Sequence, residues 1–292
     1  MSGLRTVGVC GAGGTMGAGI AITAARAGFR TICFDTQAAG LERALRNTAS
    51  FFDNSVKRGK MTEAERDAVT ARLVLATDMV ALAECDLVVE AVFEELSVKQ
   101  GLFRSLHAVC PAHTIFASNT STLSIAEIAS GCGREDHVVG LHYCLPAQLM
   151  KLIEVSPGVN TSKETLDAAW AFTEACGQRP VLTQDKPGFI LNALLVPFNN
   201  DAIRMIEAGV ADAAGVDTAI KTALGYKMGP LELIDLIGLD TQARLCEAFY
   251  PVTLDPRAAT PPLLRRMVAA GHLGRKSGRG FYRYDGGKMF GA

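Results

Sequence analysis

Val7-Gly8-Val9-Cys10-Gly11-Ala12-Gly13-Gly14-Thr15-Met16-Gly17-Ala18-Gly19-Ile20 is the stretch whose reading decides the fold. Its first residues read as a buried strand, the glycine run as a tight turn, and the remainder, continued by Ala21, Ile22, Ala24 and Ala25, as a helix. Glycines let the backbone turn and approach a pyrophosphate, whose charge is met by free N–H groups and the positive end of the helix. The spacing is irregular: Gly11-x-Gly13 leaves three residues before Gly17, where the dinucleotide-binding fingerprint has two. Either the loop carries one extra residue or the frame is Ala12-x-Gly14-x-x-Gly17. Gly11, Ala12, Gly13, Gly14, Thr15, Met16 and Gly17 are thus the candidate cofactor loop.

Outward from it, Thr31-Ile32-Cys33-Phe34 reads as a second strand ending in Asp35, eighteen residues after Gly17, where a carboxylate accepts both ribose hydroxyls. No Arg or Lys follows Asp35 within reach, which favours NAD over NADP. A glycine turn that merely joins strand to helix is the plain alternative, and Asp35 argues against it. Asp86 to Val92 reads as a further buried strand, with Glu94 and Lys99 beyond its end on the expected nicotinamide side. Strands and helices alternate as far as Pro180-Val181-Leu182-Thr183, the pattern of an α/β, Rossmann-like, doubly wound and mostly parallel sheet. Asp185-Lys186-Pro187-Gly188 marks a boundary, giving expected domains at 1–184 and 185–292.

Beyond that boundary the strand pattern stops. Phe189 to Glu207 is apolar nearly all round, with Pro197 expected to kink it, and such a helix must be covered on several sides. An all-α C-terminal domain that packs on the first domain or on a second subunit follows, with a homodimer as the economical reading. Further helices are expected over Asp212 to Leu224, Pro230 to Ile237 and Pro262 to Ala270, and a basic glycine loop over Gly274 to Tyr282. Asn192, polar in apolar company, is expected to face the cleft between domains or to bond to backbone.

Three apolar runs in the first domain deliver side chains suited to proton transfer. Thr114 to Ala117 leads to Ser121, Val138 to Leu141 leads to His142, and Leu149 to Ile153 leads to Glu154, so that three adjacent strand ends can bring the three together. A carboxylate fixes the tautomer of an imidazole and stabilises the imidazolium formed when it takes a proton from an alcohol, while a hydroxyl can hold the substrate oxygen. A lone histidine at a strand end is commonly a hydrogen-bonded structural residue; Ser121 and Glu154 set His142 apart.

Composition bounds the alternatives. With 292 residues, 49% hydrophobic and 20% charged, the chain suits about two ordinary domains. A net charge of -1 offers no field for a phosphate backbone, so nucleic acid is not an expected partner. The N-terminus is too glycine-interrupted for a signal peptide, and charges break the apolar region Leu73 to Phe93, so no membrane association is expected. Eight cysteines, at least twelve residues apart and without metal-ligand spacing, read as reduced thiols of a cytoplasmic protein that binds no metal. Lys57 and Arg58, in the cluster Lys57-Arg58-Gly59-Lys60, are a solvated helix end or a site for a phosphorylated substrate tail.

Six motifs together are far more specific than the glycine loop. They are Leu87-Val88-Val89-Glu90-Ala91, Phe116-Ala117-Ser118-Asn119-Thr120-Ser121, Met150-Lys151-Leu152-Ile153-Glu154-Val155, Pro187-Gly188-Phe189-Ile190-x-Asn192, Met228-Gly229-Pro230-Leu231-Glu232-Leu233 and Gly274-Arg275-Lys276-Ser277-Gly278-x-Gly280-Phe281-Tyr282. Over nearly its whole length the chain resembles the 3-hydroxyacyl-CoA dehydrogenase family, including the 3-hydroxybutyryl-CoA dehydrogenases of fatty-acid metabolism and β-oxidation. The resemblance implies His142 as general base, Glu154 as its carboxylate partner, Ser121 and Asn192 on the substrate oxygen, and Asp35, Glu94, Lys99 and Lys276 around NAD. The implied reaction is oxidation of a short-chain 3-hydroxyacyl-CoA to the 3-ketoacyl-CoA, or its reverse, with hydride passing to or from the nicotinamide.

Three departures stand out. His142-Tyr143-Cys144-Leu145-Pro146 replaces the family's His-Phe-Phe-Asn-Pro, the glycine loop has its extra residue, and Ala44, Ser50, Phe51 and Asn54 stand where hydroxyl or lysine contacts to CoA are usual, leaving Lys57, Arg58 and Lys60 to meet phosphates. A free hydroxy acid, such as a sugar acid or a carnitine-like compound, is the alternative substrate, and a catalytically silent NAD-binding relative the alternative class.

Overall fold

A computed structural model describes residues 3–286 and 288–291. The chain divides into two compact units, Met1–Phe189 and Ile190–Ala292. In the first unit β1 (Thr6–Cys10), α1 (Thr15–Arg26), β2 (Arg30–Phe34), α2 (Ala38–Lys57), α3 (Glu63–Thr70) and β3 (Leu73–Ala76) come first. They are followed by β4 (Leu87–Glu90), α4 (Leu96–Val109), β5 (Ile115–Ser118), α5 (Ile125–Ala129), β6 (Val138–Tyr143), β7 (Leu152–Pro157), α6 (Lys163–Ala175) and β8 (Arg179–Leu182).

The eight strands form one sheet in the order β3-β2-β1-β4-β5-β6-β7-β8. All neighbours are parallel except β6 and β7, which run antiparallel. β1, β4, β5 and β6 are apolar runs rather than alternating ones because both faces are covered: Val7, Val89, Ala117 and Leu141 belong to the core on one side and Val88, Phe116 and Val138 to the core on the other. The winding reverses between β1 and β4, and ligands of such sheets gather beyond the carboxyl ends at that point.

Helix starts follow local chemistry. At α3 the Thr62 side chain accepts the Glu65 N–H while Glu65 accepts the Thr62 N–H, a capping box that satisfies two otherwise free donors. The short α5 is capped by Ser124, whose hydroxyl accepts the Glu127 N–H, and is held as well from far along the chain, since Asp185 accepts the N–H groups of Ile125 at 2.7 Å and Ala126 at 2.9 Å. Gly188 then donates to the Ser121 carbonyl and Phe189 packs in the sheet's core, so the Asp185–Phe189 segment packs with the first unit.

The second unit holds α7 (Leu191–Glu207), α8 (Ala213–Leu224), α9 (Pro230–Ile237), α10 (Leu239–Thr253) and α11 (Pro262–Ala269) around Val196, Ile203, Leu231, Ile234, Phe249 and Tyr282. α7 continues past Pro197 as one helix. The unit is not helical throughout: β9 (Arg283–Asp285) and β10 (Lys288–Gly291) form an antiparallel ribbon. Two buried carboxylates fix the glycine-rich stretch before it. Asp235 accepts the N–H groups of Phe281 and Tyr282 and the Tyr284 hydroxyl, and Asp217 accepts the Tyr282 hydroxyl. A Cβ at Gly280 would lie 2.0 Å from Asp235 Oδ1, so the motif has room only for glycine there.

All eight cysteines are free, six of them buried, and burial pushes the Cys33 thiol up to about 12. Among the described residues no helix is long and apolar enough to cross a membrane, and no group of three or more His, Cys, Asp or Glu could hold a metal ion.

Candidate active site

The nucleotide end of the site is a backbone surface. Gly11 has φ +82°, and a Cβ on Gly17 would stand 2.2 Å from the Gly11 carbonyl oxygen. The close approach therefore joins Gly11 to Gly17, Gly14 caps α1, and the loop does carry one residue more than the usual fingerprint. The Gly13 N–H donates to Asp35 Oδ2 at 3.0 Å, while Asp35 Oδ1 accepts the Gln37 N–H at 2.9 Å. A cavity of about 760 Å³ opens here, lined among others by Gly11, Gly14, Asp35, Arg43 and Phe93. A glycine cradle at a helix N-terminus with a carboxylate at the end of the next strand fits a dinucleotide.

Arg43 corrects the expectation that no cation stands near Asp35, because α2 carries its guanidinium back to the cavity Asp35 lines. Asp35 alone then supplies the negative charge that disfavours a phosphorylated ribose beside a ready cation. Asp35→Ser is expected to weaken NADH about 10- to 100-fold, the loss of charge-assisted hydrogen bonds, and to tighten NADPH. Fluorescence titration of both nucleotides checks this; equal weakening of the two would show that Arg43 does not meet the added phosphate.

Ser121, His142 and Glu154 form one hydrogen-bonded line. His142 Nδ1 lies 2.7 Å from Glu154 Oε2, and His142 Nε2 lies 3.1 Å from Ser121 Oγ. His142 and Glu154 are direct cross-strand partners in the β6–β7 ladder, so their side chains leave the same face of the sheet. Glu154 therefore sits near the amino end of β7, not at a carboxyl end as its preceding apolar run suggested; the antiparallel turn of β7 brings that end beside the carboxyl end of β6. Glu154 is 1% exposed and His142 5%. A carboxylate this buried against Nδ1 favours the tautomer with the proton on Nδ1, which leaves Nε2 a lone pair facing Ser121.

Residues around this line keep it in place. Phe189 packs against His142 with ring centroids 5.4 Å apart and planes tilted by 43°, held there by a left-handed backbone, φ 49°, that a bulky residue rarely adopts. Asn119 Oδ1 accepts the Tyr143 N–H at 2.9 Å and so ties the end of β6 to the turn after β5. Glu94 Oε1 accepts the Ser121 N–H at 2.7 Å and the Thr120 hydroxyl at 2.5 Å. Burial would raise the Glu94 carboxyl, but the Lys99 ammonium and these hydrogen bonds hold it below the ordinary glutamate range. Lys99 itself is 1% exposed, enclosed between Glu90 at 2.6 Å and Glu94 at 3.1 Å, so any effect it has on a nucleotide passes through Glu94.

The first unit thus brings together Ser121, His142, Glu154, Glu94 and Lys99, and separately the glycine loop with Asp35. Asn192 lies in the first turn of α7 and Lys276, paired with Asp240, in a 3₁₀ turn of the second unit. Lys57 and Arg58 close the far end of α2, roughly 28 Å of helix from the Asp35 end, and are exposed. Sequence reasoning gave no role to Phe189, Asn119, Glu90 or Arg43. A signal existed for two of them: Phe189 follows Pro-Gly in a quoted motif, and Glu90 is a charged residue directly after the apolar run Leu87-Val88-Val89.

A backbone cradle for a dinucleotide at the switch point, with a proton acceptor at a neighbouring strand end, is the equipment of an NAD-dependent oxidoreductase. Comparison with known proteins narrows this. The model of the 3-hydroxyacyl-CoA dehydrogenase NAD binding domain matches residues 6–186, and that of the 3-hydroxyacyl-CoA dehydrogenase C-terminal domain matches residues 188–284. The chain is 40% identical over 282 residues to the probable 3-hydroxybutyryl-CoA dehydrogenase of Bacillus subtilis (strain 168), covering 97% of this chain and 98% of that one. It is 39% identical over 282 residues to the mitochondrial hydroxyacyl-coenzyme A dehydrogenase of Homo sapiens, covering 93% and 89%. The crystal structure of FadB2 of M. tuberculosis superposes with a TM-score of 0.92 at 38% identity, covering 97% and 99%. The chain belongs to the 3-hydroxyacyl-CoA dehydrogenase family; it is an enzyme of the NAD-dependent oxidoreductase class, and NAD is its cofactor.

Proposed function

We propose that the enzyme interconverts a short-chain 3-hydroxyacyl-CoA, of the 3-hydroxybutyryl type, and its 3-ketoacyl-CoA, a step of β-oxidation or its reverse. The observation that carries the reading is the line Ser121 Oγ, His142 Nε2, His142 Nδ1, Glu154 Oε2, with gaps of 3.1 and 2.7 Å at its two ends. Bound NAD supplies the acceptor for the hydride on C3. Glu154 holds the imidazole with its Nδ1 proton turned inward, so Nε2 takes the 3-hydroxyl proton, and the imidazolium that results is stabilised by the buried carboxylate. Ser121, with Asn192 by family resemblance, holds the substrate oxygen while its proton moves. In the opposite direction Nε2–H returns the proton to the ketone oxygen. Main-chain N–H groups of the glycine loop and Asp35 orient the cofactor, and Glu94 fixes the turn that presents Ser121.

Disappearance of the NADH absorbance with acetoacetyl-CoA tests the assignment; no oxidation by the wild type between pH 5 and 8 would remove it. Ser121→Ala is expected to lower kcat/KM about 10- to 100-fold, the loss of one hydrogen bond made at a charged oxygen, with NADH affinity unchanged. A change under threefold in the same assay would place Ser121 outside the substrate contact.

A free hydroxy acid is the second reading. It is favoured by the apolar Ala44 and Phe51 on α2 and by Leu145, 60% exposed, at the family's asparagine position. Turnover of free acids with none of thioesters selects it, and NAD binding without turnover of either would mark a silent relative. We also propose a homodimer formed through the second unit, whose exposed Leu194, Val210, Leu224 and Leu254 suit a covered surface, and a cytoplasmic setting, which suits eight free thiols.

A further inference from the structure

Glu90 ends β4 directly opposite Ser118, the last residue of β5, and is fully buried together with Lys99. Its Oε1 accepts from the Lys99 ammonium at 2.6 Å and from the Val92 N–H at 2.8 Å, and its Oε2 from the Ser118 hydroxyl at 2.7 Å. The Ser118 oxygen in turn accepts the Thr120 N–H at 3.2 Å. Lys99 reaches the other way to Glu94 Oε2 at 3.1 Å, while Glu94 Oε1 gathers the Ser121 N–H, the Thr122 N–H and the hydroxyls of Thr120 and Thr122, all within 3.1 Å. The turn from Ser118 to Thr122 is thus held from both ends, and both holds lead back to one carboxylate.

Burying a carboxylate and an ammonium costs so much solvation that a buried pair adds little stability over an apolar pair of the same shape, so stability alone does not account for this one. What an apolar pair cannot do is fix Glu94. We propose that Glu90 and Lys99 are positioning residues for the proton-transfer site: Lys99 anchors Glu94, Glu94 and Ser118 fix the turn, and the turn sets the Ser121 hydroxyl against His142 Nε2. This rests on the proposed function only in its kinetic consequence, since the geometry it predicts exists without substrate.

The double variant Glu90→Gln, Lys99→Met removes both charges with little change of shape. Its thermal midpoint is expected within a few degrees of wild type, while kcat for acetoacetyl-CoA reduction at saturating NADH falls about 10- to 100-fold, as a misplacement near 1 Å does. Adding Ser121→Ala to it is expected to cost less than threefold more, because the hydroxyl has already left its place. Losses that multiply, or a kcat within twofold of wild type, overturn the proposal. Nitrogen-15 resonances of the His142 ring give a reading free of turnover: in the double variant Nε2 is expected to move toward its position in Ser121→Ala, and an unmoved signal overturns the proposal even for an enzyme inactive on thioesters. Should the double variant not fold, Ser118→Ala, which deletes a single hydroxyl, is expected to shift Nε2 the same way by less, and no shift overturns the proposal in that case too.

Discussion

Glutamine in place of His142 is expected to lower kcat for acetoacetyl-CoA reduction about 10²- to 10⁴-fold and to leave the NADH dissociation constant within about threefold. The amide fills much of the ring's volume and can keep a hydrogen bond to Ser121 or to Glu154, but it takes up no proton at neutral pH. The barrier therefore rises by the whole contribution of general acid and base catalysis, while the glycine loop and Asp35, which lie on other strands, are untouched. Stopped-flow reduction and NADH fluorescence separate the two effects. A loss under tenfold would mean that the proton travels by another group and that His142, 5% exposed and packed on Phe189, is a core residue.

Glu154→Gln is expected to cost about 10³-fold in kcat with no loss of thermal stability, a split that packing alone would not produce. The glutamine amide can donate to Nδ1, which moves the ring proton to Nε2 and removes the lone pair on which the proposed proton transfer depends. The imidazolium also loses the negative charge 2.7 Å away that stabilises it. Stability holds or rises because a neutral amide at a site 1% exposed carries no desolvation cost of charge. Calorimetry beside steady-state kinetics checks both halves. If kcat stays within tenfold, the carboxylate orients nothing that the reaction needs.

The glycine turn, the second strand with Asp35 and the alternation of strands and helices were legible because each is a local pattern that a parallel sheet imposes on consecutive residues. Strand direction is not local in that way. Glu154 was placed beside His142 from its apolar approach, yet it occupies the amino end of a reversed strand. A clue was available, since eight residues, 144–151, join β6 to β7 and a parallel crossover needs a dozen or more. The charged residues were harder to read. Lys99 counts as one cation in the sequence, but its two carboxylate partners become visible only when β4 and α4 are folded against each other. Arg43 was overlooked because reach was judged along the chain, whereas a helix starting at Ala38 carries residue 43 back over the cavity. α10 escaped notice between Gly238, a one-residue corner at φ 103°, and Pro251, which lies inside it.

Because β6 and β7 face each other residue for residue, the spacing of His142 and Glu154 is set by main-chain hydrogen bonds and not by the segment that joins the two strands. Changes at Leu145 and Leu149 of that connection, each 60% exposed, are therefore expected to leave the 2.7 Å contact of His142 with Glu154 in place. A slip of the ladder by one residue does the opposite, turning Glu154 to the far side of the sheet and breaking that contact with every side chain still present.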